Sequence, residues 1–137
     1  MKAERIRFIF NKLRGDNRFV KPWEDLDSDQ RLSMLEGVKL DADEVPVIGI
    51  AEGPTRVMIT TRRIFWSSDG SLLFLDLNEI ATVKVPEFME SNKLDLHRLW
   101  LITRAGSEYA LETQPGKPLF VLWNLLIRIL DRPKSAQ

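Results

Sequence analysis

Between Glu44 and Thr113 the chain breaks into short apolar runs rich in Val, Ile, Phe, Trp and Thr, with turn residues at intervals of about 8–12 positions. Runs of that length and composition are too short for buried helices and suit antiparallel strands joined by tight turns. The pattern predicts strands near 45–52, 55–60, 63–67, 71–76, 79–85, 97–104 and 107–113. Gly53-Pro54, Asp69-Gly70 and Ala105-Gly106 are the clearest turns. The longest break, Pro86 to Asp95, carries Glu87, Glu90, Asn92, Lys93 and Asp95 and reads as an exposed loop. Gly116-Lys117-Pro118 closes the β unit and opens a helix, with Pro118 suited to its first turn; the helix runs to about Asp131 and is stopped by Pro133.

Ahead of this unit the periodicity is helical. Ile6, Ile9, Phe10 and Leu13 stand at i, i+3, i+4 and i+7 within a predicted helix over 2–14, and Gly15-Asp16-Asn17 stops it. A second short helix starts near Asp27 or Ser28 as N-cap, ends at Gly37 and is expected to bury Leu32 and Leu35. The expected organisation is a helical N-terminal extension (1–43), a mainly β domain with a closing helix (44–132) and a tail (133–137). No internal repeat or low-complexity segment interrupts it.

The 137 residues suffice for one domain with a real core, and 44% apolar with 29% charged residues is an ordinary globular balance. Twenty basic and twenty acidic side chains give no net charge, which sets aside a nucleic-acid role. The charge is segregated, however: residues 1–23 carry a net +5, 24–52 a net −7 and 53–137 a net +2. The basic and acidic blocks are expected to attract each other or to be solvated separately. With no Cys, disulfides, thiolate zinc sites and thiol nucleophiles are excluded. No signal-peptide core stands at the N-terminus, and no run approaches a membrane span, so a cytoplasmic protein is expected.

The closing helix carries more apolar surface than one sheet requires. Leu119, Trp123, Leu126, Ile127 and Leu130 make a face that can plug a curled sheet, and Val121, Leu125 and Ile129 continue it around the helix. Only Asn124, Arg128 and Asp131 form a polar wedge. Something must cover Val121, Leu125 and Ile129: the stripe of Ile6, Ile9, Phe10 and Leu13 from the same chain, a second copy, or a membrane or peptide partner. These seven residues are the candidate interaction surface.

Seven short strands followed by one helix is the order of the pleckstrin-homology superfold. "VMITTRRIFW" resembles the strand-turn-strand of bacterial PH-like and GRAM-type domains, "LFLDLNEIATVKV" their next stretch, and "WLITRAGSEYALET" with "LFVLWNLLIRIL" their last hairpin and closing helix. The resemblance covers about 44–131. It implies a seven-stranded antiparallel half-barrel capped by the C-terminal helix, and a binding or assembly module rather than a reaction; the two-helix extension read from the periodicity precedes it. Lipid-binding members gather Lys and Arg around the loop between the first two strands. Here that loop, Ala51 to Arg56, holds one Arg and one Glu, a departure that argues against an inositol phosphate site.

Arg62 and Arg63 lie between two apolar strands, where the chain must reverse. They are read as a solvated or locally paired turn, with bidentate binding of a phosphate or a partner's carboxylate as the functional alternative. Asp25, Asp27, Asp29 and Glu36 match a calcium-loop spacing, but Gln30 stands where Gly is needed and no helix precedes Asp25; an acidic first helical turn accounts for them. His97 is the only histidine, and no nucleophile elbow, phosphate loop or metal-ligand spacing accompanies it. Trp66, Trp100 and Trp123 lie in apolar runs and are expected in the core. Neither an enzyme nor a bound cofactor or metal is expected. The leading reading is a protein-binding module, including self-association. The alternatives are a peripheral membrane or lipid-binding module using helix 2–14 and a carrier of a small apolar ligand.

Overall fold

A computed structural model of the chain describes residues 2–13, 20–50, 56–68, 70–85, 98–112 and 117–130. The expectations placed on Gly15 to Asn17, Gly53-Pro54, the 86–95 loop, His97, Gly116 and Asp131 onward lie outside the described residues. Three helices and eight strands follow in the order α1 (Ala3–Leu13), β1 (Val20–Pro22), α2 (Ser28–Leu35), β2 (Pro46–Ile50), β3 (Val57–Thr60), β4 (Arg63–Ser68), β5 (Ser71–Asp76), β6 (Ile80–Lys84), β7 (Arg98–Thr103), β8 (Glu108–Glu112) and α3 (Lys117–Leu130), counted among the described residues. The strands form two antiparallel sheets, β1-β2-β3-β4-β5 and β6-β7-β8, and the chain is a mixed α and β fold.

The turn chemistry sets the sheet. A two-residue corner at Thr61-Arg62 pairs Ile59 with Ile64 and Val57 with Trp66. The β4–β5 turn places Gly70 at φ +79°, a left-handed conformation that glycine adopts without a Cβ clash. From there Trp66 pairs with Leu73 and Ile64 with Leu75. Period-two alternation then sends Ile64, Trp66 and Leu75 into the main core and Phe65 and Leu72 to the opposite face. Val47 is an extra residue in β2, a bulge between the Pro46–Thr60 and Ile48–Ile59 pairs.

The front of the chain is less purely helical than expected. Val20–Pro22 is a strand paired antiparallel with β2, so the extension adds an edge to the sheet. Pro22 is tolerated there because an edge strand can lack a donor. A 3-10 turn at Trp23–Asp25 follows, and then α2, capped reciprocally by Asp27 and Gln30: the Gln30 N–H donates to Asp27 Oδ1 at 2.8 Å and the Asp27 N–H to Gln30 Oε1 at 3.1 Å. Leu32, expected in the core, is 69% exposed, and Met34 is buried in its place with Met58 and Phe65. The outer sheet face therefore meets α2 through Met34. Gly49 permits the approach, since a Cβ there would stand 2.8 Å from Met34 Cε and 3.0 Å from Leu26 Cδ1.

The main core joins both sheets to α1 and α3. Ile6 and Phe10 are fully buried with Val121, Leu122, Leu125, Leu126 and Ile129, while Ile9 and Leu13 pack against the same cluster. The buried side of α3 spans roughly 140° at 100° per residue, centred on Leu125 and Ile129. Ile127, assigned by the sequence to the plugging face, is 41% exposed beside Arg128. The face is rotated because α3 packs between α1 and the strands, so its buried arc must serve both.

Candidate functional site

The Thr60–Arg63 corner is the densest polar assembly among the described residues. Its two arginines do different things. Thr60 Oγ1 accepts the N–H groups of Arg62 (3.1 Å) and Arg63 (2.8 Å), which fixes the turn, and donates to Glu44 Oε2 at 2.5 Å. Glu44 is fully buried at its side chain and meets Arg63 as a fork: Nε donates to Oε2 at 2.9 Å and Nη2 to Oε1 at 2.5 Å. The Asp41 N–H also donates to Glu44 Oε1 at 3.1 Å, and Arg63 Nη2 to the Lys39 carbonyl at 2.8 Å. The Arg63 guanidinium lies 4.6 Å from the Phe65 ring centroid and 5.1 Å from that of Phe74.

Burial pushes the Glu44 carboxyl up, but hydrogen bonds from Arg63, Thr60 and Asp41, with the Arg63 charge, hold it at about 2. Arg63 is correspondingly pushed up by its hydrogen bonds to Glu44, against burial. Arg62 is half exposed and reaches Asp43 Oδ2 at 2.7 Å and Asp41 Oδ2 at 3.4 Å. Both arginines are therefore paired with local carboxylates, all from the acidic block before β2. Three carboxylates around two guanidinium groups leave the corner net negative, which disfavours a further anion.

The hydrophobic candidates also meet one another. Ile6, Phe10, Val121, Leu125 and Ile129 are buried in a single intrachain cluster, and Ile9 and Leu13 are half-buried against it. Of the three covers open for the back of α3, the chain's own α1 occupies the place. The basic and acidic blocks touch where Arg7 Nε stands 3.5 Å from Glu24 Oε1. Asp27 is committed to the cap of α2, in keeping with an acidic first turn. Trp66 is buried, with its ring edge-on to Tyr109 at 6.1 Å, whereas Trp100 and Trp123 are only half-buried.

One feature escaped the sequence reading: β5 is an edge. Among the described residues it pairs only with β4, and its Leu73 and Phe74 are 36% and 55% exposed. The hydrogen bond from the Leu77 N–H to the Arg62 carbonyl (2.8 Å) continues the β4–β5 ladder and fixes its phase. Alternation then assigns the N–H and C=O groups of Ser71, Leu73 and Leu75 to β4 and leaves those of Leu72, Phe74 and Asp76 on the free edge. The unbroken run Leu72-Leu73-Phe74-Leu75 signals apolar residues on both faces of the strand, but not its place at the end of the sheet. Past the end of β5, Asp76, Glu79, Arg104, Ser107 and Tyr109 line an open cleft of about 350 Å³.

Comparison of the chain with models of known protein families, with curated proteins and with solved structures finds no match. Among the described residues, no helix is long and apolar enough to cross a membrane.

Proposed function

We propose that this chain is a non-catalytic, PH-like binding module that works through protein contacts. The order of antiparallel strands ending in a helix packed on them supports the PH-like reading. The observation that carries the functional reading is β5, a six-residue edge strand whose outer backbone groups meet no other strand among the described residues, with Leu73 and Phe74 exposed. The arginine corner, in contrast, spends its guanidinium groups on its own carboxylates and serves the fold. The back of α3 needs no partner, which moves the contact surface from the helices to the sheet. Selection of a random peptide display library on the full chain tests the reading. Enriched peptides that bind the free protein saturably at micromolar concentration support it, and failure to enrich any such peptide contradicts it.

The membrane alternative draws on α1. Phe8 is 61% exposed, the Lys12 ammonium lies 4.4 Å from its ring centroid, and Lys2 and Arg5 are exposed on the same helix or its approach. Sedimentation with phosphatidylserine vesicles, repeated with Phe8→Ser, decides this second reading: binding that Phe8→Ser abolishes favours it, and no sedimentation at low salt ends it.

A further inference from the structure

We infer that the free edge of β5 takes an extended peptide by strand addition, and that the partner strand carries a basic residue opposite Asp76. The inference rests on the protein-contact reading and names its site and partner chemistry. An edge that offers the N–H and C=O of Leu72, Phe74 and Asp76 is satisfied by another extended main chain, which supplies the complementary donors and acceptors. Every strand pair in the two sheets is antiparallel, and the added strand continues that pattern.

The side chains on the outer face then select the partner. Leu72, Phe74 and Asp76 alternate along that face, with the Phe74 ring tilted at 37° to that of Phe65, 5.6 Å between centroids, and beside the Arg63 guanidinium. An antiparallel partner presents, in its own direction, a residue opposite Asp76, then one opposite Phe74, then one opposite Leu72, each separated by one position. Asp76 and Glu79 are both exposed and both border the cleft at this end. Arg63 stands opposite Asp76 in the β4–β5 register but is already forked to Glu44. The Arg104 guanidinium, whose Nε donates to the Asn78 carbonyl at 2.8 Å, offsets one of the two charges. The remaining negative charge favours Lys or Arg in the first position, an aromatic residue in the second and an aliphatic one in the third. A second copy of the chain fits this pattern poorly. In a two-fold pairing about Phe74, Asp76 would face the partner's Leu72, and its carboxylate would gain no cation from the second copy.

The probe is a disulfide-closed hairpin peptide whose outer strand reads Lys-Thr-Phe-Thr-Val, rigid enough to limit the ordering cost. Its binding to the full chain is followed by fluorescence anisotropy and by amide exchange. Saturable binding is expected, with new protection at the Leu72, Phe74 and Asp76 amides. Affinity should fall at least tenfold when the peptide Phe is N-methylated and at least tenfold when its Lys is replaced by Glu. Asp76→Lys should recover the Glu peptide, and Phe74→Ser, at an exposed position, supplies a second variant should Asp76→Lys unfold. Absence of binding, indifference to N-methylation, or protection that appears away from β5 overturns the proposal. So does a dimer in light scattering whose β5 amides are already protected without peptide. If library-selected peptides bind elsewhere on the chain, the edge assignment fails while the protein-contact reading stands; if none binds at all, both fail.

Discussion

Replacing Arg63 with methionine would leave the buried Glu44 carboxylate without its cation while keeping an unbranched apolar stem. The size of the loss follows from the carboxyl itself. It sits at about 2 in the folded chain against an ordinary value of 4.5. At about 1.4 kcal/mol for each pH unit of difference, the environment of Glu44 contributes about 3 kcal/mol at neutral pH. Removing one partner of a buried pair typically costs about 3–5 kcal/mol, so Arg63→Met should lose about 3. The pH window has a definite sign. Because the folded value is depressed, the contribution is complete above pH 4.5 and is lost as the pH falls toward 2; the variant should lack most of that acid limb. Urea unfolding followed by tryptophan fluorescence between pH 7 and pH 2 measures both. Arg62→Ala is the internal control: its pairs with Asp41 and Asp43 are exposed, and it should cost less than about 1 kcal/mol. The double variant Glu44→Met with Arg63→Met should lose less than the two single changes added together. An Arg63→Met protein within about 1 kcal/mol of the parent, or one that keeps the parent's full acid limb, would refute the reasoning.

Leu125→Ala should cost about 3 kcal/mol and speed amide exchange in α1 as well as α3, since the two helices share one cluster. Gly49→Val should cost about 2 kcal/mol in urea unfolding, because its side chain would displace Met34 and Leu26 from the sheet. Asp27→Ala should cost about 1 kcal/mol through loss of the capping box, with Asp27→Asn largely retaining stability.

Local chemistry explains which elements were legible in the sequence. Strands β2 to β8 and helix α3 were readable because turn residues bound each apolar run, and α1 because its stripe repeats at helical spacing. Strand β1 was not, since three residues are too short a run for their alternation to stand out and their partner lies more than twenty positions away. The arginine corner was legible as a turn, yet its decisive partner Glu44, nineteen positions from Arg63, was not. Nothing local in the sequence ties that carboxylate to that guanidinium. Helix α3 was identified with its buried arc rotated, because the reading set its face against a sheet alone and α1 also packs on it. The open edge of β5 depends on strand order, and no single stretch of sequence states which strand ends a sheet.

Residue-resolved amide exchange of the free 137-residue chain tests the central claim most directly. If β5 is an open edge on a sheet whose helical face is closed by α1, the amides of Leu73 and Leu75 exchange slowly and those of Leu72, Phe74 and Asp76 exchange fast, while α1 and α3 are protected together. Uniform protection along β5 in a monomer, or fast exchange in α1 beside a protected α3, would contradict it.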